Sequence, residues 1–161
     1  MDDLMTTLDF ATLMTAGAIL ICLLLSAFFS GSETALTAAS KAKLRARADK
    51  GDTGAEAAVR VTADSERLIG AILLGNNVVN ILAASLATAL FTRLLGASGV
   101  AIATLVMTVL VLIFSEVMPK TYAISAPETV ASRVARPIRI LLIVLAPIVS
   151  VVRAIVNVML A

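Results

Sequence analysis

The chain has 161 residues, 60% hydrophobic and 15% charged, with a net charge of +2 and a mean hydropathy of +1.01. Soluble domains run at about 45–50% apolar and about 25% charged, so a water-soluble globule is excluded and lipid must cover much of the surface. Histidine is absent and Cys22 is the only cysteine, which removes the commonest transition-metal ligand and general base and any intrachain disulfide. With only Tyr122 and five phenylalanines there is no stacking platform for nucleic acid.

Met1 to Asp9 is short and acidic. The first apolar run, Phe10 to Phe29, lacks a basic flank and reads as a membrane span, not a cleaved signal. Ser30-Gly31-Ser32-Glu33-Thr34 follows as a polar break with the composition of a helix start. Ser32 to Arg67 carries seven basic and six acidic residues. It is too polar to span and predicts short helices interrupted at Gly51-Asp52-Thr53-Gly54. Leu68 to Leu95 is a second apolar run, containing Gly75-Asn76-Asn77 and Asn80. Gly96 to Gly99 is a tight uncharged turn. Val100 to Met118 is a third run, ending Ser115-Glu116-Val117-Met118-Pro119-Lys120. Pro137 to Leu160 reads two ways. It is a fourth span by hydropathy, or an interfacial helix whose Arg133, Arg136, Arg139 and Arg153 snorkel to headgroups. The 32–67 and 120–139 segments are basic, while the N-terminus and the 96–99 turn have no Lys or Arg, so the positive-inside rule puts the N-terminus outside and both segments in the cytoplasm.

A carboxylate at mid-membrane costs roughly 2.5–3.5 kcal/mol on insertion scales, so a polar side chain there needs a partner or a function. Three clusters meet that description. Ser26, Ser30 and Glu33 share a helical face if the helix continues through Gly31; their ordinary role would be hydroxyl bonds to carbonyls one turn back. A break at Gly31 would instead free carbonyls for a ligand. Gly75, Asn76, Asn77 and Asn80 offer more amides than interhelical glue requires, which favours a polar cavity. Glu116 precedes Pro119, which removes a donor and disfavours helical geometry at Met118. Its ordinary reading is an ion pair with Lys120 at i+4 or exposure at a span end. Thr104, Thr108 and Ser115 share a face that would line a polar path. All these groups are hard oxygen ligands, suited to Mg²⁺, Ca²⁺ or Na⁺.

Ser-Ala-Phe-Phe-Ser-Gly-Ser-Glu-Thr-Ala (26–35), Leu-Gly-Asn-Asn-Val-Val-Asn-Ile (74–81) and Ser-Glu-Val-Met-Pro-Lys-Thr-Tyr-Ala (115–123) together resemble the transmembrane domain of the CNNM/CorC family, over nearly the whole chain. The resemblance implies an all-α integral membrane protein of three transmembrane helices and a juxtamembrane belt helix. On this chain they fall at about 10–30, 68–95 and 99–119, with a cytoplasmic helical segment at 32–67 and the belt at about 127–160. It implies a homodimer in the inner (plasma) membrane that transports Mg²⁺, with Na⁺-coupled export. Carried over, the family's ion site falls on Ser26, Ser30, Gly75, Asn76 and Glu116. Family members continue into cytoplasmic CBS domains, so the expectation for 1–161 is a shortened chain without nucleotide-dependent regulation. The alternative function is a membrane-embedded Mg²⁺ sensor or regulatory subunit that does not itself transport. An intramembrane hydrolase using Ser115 and Lys120 lacks an oxyanion-hole signature, and no enzymatic activity is expected.

Overall fold

The computed structural model describes the backbone of residues 2–161 and the side chains from Asp9 onward. It is helical throughout, with no strand among the described residues. Helix α1 (Asp2–Ala38) is followed by two short helices, α2 (Lys41–Asp49) and α3 (Thr53–Val61), and then by α4 (Ser65–Leu95). A 3₁₀ turn at Gly96–Ser98 leads into α5 (Gly99–Leu110), a π-helical segment (Val111–Val117), α6 (Met118–Ser125) and α7 (Pro127–Leu160).

The polar segment folds as short helices because its side chains cap them. Ser40 accepts the Lys43 N–H at 3.4 Å at the start of α2. Asp52 Oδ1 accepts the Gly54 and Ala55 N–H groups, each at 3.0 Å, to open α3. Asp64 Oδ1 accepts the Arg67 N–H at 3.1 Å to open α4. Each cap satisfies a donor that a helix start leaves without an intrahelical partner. The Arg67 N–H bond and the nearby Arg153 hold the Asp64 carboxyl below its ordinary pKa. Gly96, at φ 68°, supplies the left-handed turn that folds α5 back on α4.

Three stretches are long and apolar enough to cross a membrane: Asp9–Ala38, Ser65–Ser125 and Pro127–Leu160. The second, at 61 residues, is far longer than the roughly 20 residues of a single span and doubles back at Gly96. The chain is therefore a multi-pass membrane protein. Helix α7 qualifies by composition, but its packing sets it apart. One core joins Ile19, Cys22 and Leu23 of α1 to Ala83, Ala87 and Leu90 of α4 and Met107 of α5, with no α7 residue in it. The other core joins Phe29, Ala35 and Leu36 to α2, α3, the first turns of α4, and α7 from Val130 to Val149. Arg153 pairs with Asp64 at 3.1 Å and Glu66 at 3.0 Å, and Val149 lies over Gly70. Helix α7 thus crosses the α4 start beside the polar segment, in the manner of a juxtamembrane belt.

The structure corrects the expected break in the first helix. Helix α1 does not break at Ser30–Thr34 but runs unbroken to Ala38. Thr34 Oγ1 donates back to the Ser30 carbonyl at 3.1 Å and Thr37 Oγ1 to that of Glu33 at 2.7 Å, so these hydroxyls are satisfied inside the helix. Gly31 serves contact and not flexibility. A Cβ there would lie 3.4 Å from Pro119 Cβ and 3.5 Å from its carbonyl oxygen. Gly31→Leu should therefore wedge α1 from α6 and cost about 1–3 kcal/mol, the range for overpacking. Gly17→Leu, with nothing within 4 Å, should leave stability nearly unchanged. Thermal unfolding of the two variants in one detergent compares them directly; equal melting temperatures would remove the Gly31–Pro119 contact as a packing determinant.

Candidate ion site

Unbroken helix keeps Ser26 and Ser30 one turn apart on one face of α1, and both are completely buried. Ser26 Oγ donates to Asn76 Oδ1 of α4 at 2.8 Å. Ser30 Oγ donates to Glu116 Oε2 at 3.1 Å. Asn76 Nδ2 donates to Glu116 Oε1 at 3.3 Å. Four of the five sequence-predicted positions thus form one connected group drawn from α1, α4 and the π segment.

Gly75, the fifth, contributes no side chain to the group and instead makes room for Phe29. A Cβ at Gly75 would stand 3.1 Å from the Phe29 ring. Its missing side chain is the space that ring occupies, beside Ser26, Ser30 and Asn76. Its carbonyl lies within an α4 that continues unbroken from Ser65 to Leu95.

Lys120 completes the arrangement. Its Nζ lies 3.1 Å from Glu116 Oε2, and the Glu116 side chain keeps 27% of its exposure. Ion pair and network hold together: the same oxygen receives Ser30 and Lys120. The ordinary i+4 pairing read from the sequence is present, but it does not compete with the convergence of Ser30 and Asn76.

The π segment explains how Glu116 arrives there, and it corrects the expected break at Pro119. Val117 and Met118 keep helical dihedrals (−64°, −52° and −64°, −48°). The Met118 N–H reaches back five residues to the Ile113 carbonyl. A proline inside an α-helix collides with the carbonyl four residues earlier, here that of Ser115. The wider π turn moves that carbonyl aside, and the helix passes through Pro119 unbroken. One extra residue in the turn also rotates the side chains beyond it. By α-helical period Ser115 would share the face of Thr104 and Thr108. Instead Glu116 joins those threonines in lining a cavity of about 440 Å³, together with Asn80. Ser115 turns toward α1, fully buried, and its Oγ donates to the Leu23 carbonyl at 3.0 Å.

Two buried oxygens have no hydrogen-bond partner among the described residues, Asn80 Oδ1 and Ser32 Oγ. Asn80 sits one turn above Asn76 and on the cavity that ends at Glu116. The amide-rich pattern of the second run was the signal for it.

Chemically, the group presents one carboxylate with hydroxyl and amide oxygens around it. Among the described residues no cluster of three or more Asp, Glu, Cys or His exists that could hold a metal, this group with its single carboxylate included. One charge plus neutral oxygens suits a hard cation that keeps some of its waters. Asn76 now turns its nitrogen to Glu116; rotating the amide would bring its oxygen beside the carboxylate.

The family model of the cyclin M transmembrane N-terminal domain, CNNM, matches residues 17–161. The chain belongs to this family. Among its relatives, a UPF0053 protein of Haemophilus influenzae is 45% identical over 113 residues, 70% of this chain and 27% of that protein. The UPF0053 inner membrane protein YfjD of Escherichia coli is 48% identical over 107 residues, 66% of this chain and 25% of that protein. A polyamine export protein of Salmonella typhimurium is 30% identical over 145 residues, 81% of this chain and 32% of that protein. The chain therefore spans a quarter to a third of the length of these relatives.

Ser115 tests the division of labour within this CNNM domain. Ser115→Ala removes a buried hydroxyl that ties the π segment to α1 but touches none of the ion-site oxygens. It should lower stability by about 1 kcal/mol and leave cation affinity unchanged. Denaturation in detergent and cation titration on the same preparation check both halves. A large loss of affinity would place Ser115 in the site.

Proposed function

We propose that this chain binds Mg²⁺ between α1, α4 and the π segment and carries it across the inner membrane, with Na⁺ as coupling ion. The observation that carries the proposal is the convergence of Ser30 and Asn76 on the single carboxylate of Glu116 inside an apolar bundle. Such a group is costly to maintain unless it serves a ligand. Ser26, Ser30, Asn76 and Glu116 supply oxygens, and Gly75 supplies clearance. The Lys120 ammonium occupies one lobe of Glu116 and would be displaced as a cation enters. The cavity past Asn80, Thr104 and Thr108 leads to the same carboxylate. No enzymatic step is proposed: the Ser115 hydroxyl is engaged by Leu23 and Lys120 by Glu116.

Calorimetric titration of Mg²⁺ into purified variants tests the site. Glu116→Gln should abolish measurable binding, because the lost charge interaction is strong in a partly dry cavity. Asn76→Ala and Ser30→Ala should weaken binding less. Lys120→Met should keep or raise affinity, since it removes a competing cation. Unchanged affinity in Glu116→Gln would sink the site. Flux from sealed liposomes, with and without a Na⁺ gradient, separates a transporter from a sensor that binds without moving its ion.

A second reading has support of its own. The polyamine export relatives and the Lys120 ammonium on Glu116 both fit a site that accepts an alkylammonium. Spermidine in place of Mg²⁺ in the same titration and flux assays decides between the two cargoes.

Basic residues at 41–67 and 120–139 support a cytoplasmic polar segment and C-terminus with an external N-terminus. Cysteines introduced at Thr6 and Ala161, probed with an impermeant reagent on intact cells, should label at Thr6 alone; the reverse pattern would overturn the orientation. A homodimer is part of the proposal, and small residues of α4 would offer a surface for it. Ala83 and Ala87 are fully buried within one subunit. Ala84 and Thr88 line an open groove of about 810 Å³ with Ser85 and Thr92 and remain available for close helix approach.

A further inference from the structure

Away from the ion site, α3 and α7 enclose a groove of about 490 Å³ whose lining includes Thr53, Arg60, Arg136, Arg139, Ile140 and Ile143. Three guanidinium groups face one small space. Glu56 is the acidic residue in the lining, and it is already paired with Arg60 at i+4. Arg136 donates to the Thr53 hydroxyl, which orients it across the groove but leaves its charge uncompensated. Arg139 makes no hydrogen bond or ion pair among the described residues. The groove thus carries two unbalanced positive charges.

Its position adds a second constraint. On one side lies the charged segment of α2 and α3. On the other, α7 turns apolar immediately after Arg139, and Ile140, Ile143, Val144 and Ile148 are exposed. The change from guanidinium to exposed aliphatic takes place within one turn. That is the polarity profile of a phospholipid at the headgroup boundary, with phosphate above and acyl chain below.

We propose that this groove is a binding site for an anionic phospholipid. Arg136 and Arg139 hold its phosphate by charge-assisted, fork-shaped hydrogen bonds, and Ile140 and Ile143 receive the start of its acyl chains. A zwitterionic lipid brings its own ammonium and gains less from the two unpaired arginines. Bound there, an anionic lipid fastens α7 to α3 and fixes the belt at headgroup depth.

Native mass spectrometry of the full chain in mild detergent, titrated with phosphatidylglycerol or phosphatidylcholine, tests the site. The wild type should retain a phosphatidylglycerol adduct under activation that strips phosphatidylcholine. Arg139→Gln should weaken that adduct several-fold without loss of fold, because Arg139 has no internal partner. Arg136→Gln with Arg139→Gln should weaken it about tenfold or more, on the order expected for two lost basic contacts to an anionic surface. Arg133→Gln is the charge-matched control: it is exposed on the same helix but outside the groove lining, and should bind as wild type. Equal binding by Arg139→Gln and wild type would overturn the proposal. So would an equal loss in Arg133→Gln, which would mean diffuse attraction, or no preference over phosphatidylcholine. Displacement of the lipid by millimolar inorganic phosphate would equally overturn it, since the acyl contacts would then contribute nothing.

Discussion

Glu116 is a partly buried carboxylate near the end of the third apolar run, and the cost of keeping it there organises the surrounding structure. Hydrogen bonds to a charged group contribute about 1.5–3 kcal/mol each, comparable with the roughly 2.5–3.5 kcal/mol that insertion scales assign to a mid-membrane carboxylate. Ser30 and Asn76 reach it at 3.1 and 3.3 Å, and Lys120 pairs with it at 3.1 Å. Because these partners come from separate helices, satisfying the charge requires α1, α4 and the π segment to meet at one height. Gly31 and Gly75 make that meeting possible by removing side chains where Pro119 and Phe29 must come close.

The same group lies at the seam between two apolar cores. Leu23 belongs to one and Phe29 to the other, with Ser26 between them and Ser30 beside Phe29. On α4, Ile72 and Ala83 belong to different cores and flank Asn76. Polar side chains in a plane between two packed regions are surrounded by rigid neighbours, so their oxygens are held in place without being fully closed off. The cavity beyond Asn80 reaches Glu116 at this seam. Site geometry and membrane packing are therefore a single property of the bundle.

The apolar runs and the turn at Gly96 could be read from the sequence, and the grouping of Ser26, Ser30, Asn76 and Glu116 was legible through motif resemblance alone. What could not be read depended on tertiary contact. Ser30–Thr34 has the composition of a helix start, yet packing on both sides carries α1 straight through. Pro119 obeys its local rule everywhere except beside a π turn, and nothing in residues 111–117 announces a π turn. That insertion exchanged the faces of Ser115 and Glu116, which a constant 3.6-residue period cannot anticipate. Ala83 and Ala87 are buried inside one subunit, which composition alone does not announce because small residues serve internal and external contacts alike. The arginines of α7 were legible as an interfacial pattern, but their convergence with Arg60 on one groove depends on how α3 folds back.

The close approach of Gly31 to Pro119 also has a mechanical meaning. Helix α1 runs unbroken from Asp2 to Ala38 and is held along its length by α4, the π segment, α6 and α7. Gly31 lets its backbone come close to Pro119, three residues from Glu116, while Ser30 is the next residue on α1. A stiff helix in such close contact would follow a displacement of Pro119 as a rigid body, so the Ser30 and Glu116 oxygens would shift together and keep their spacing.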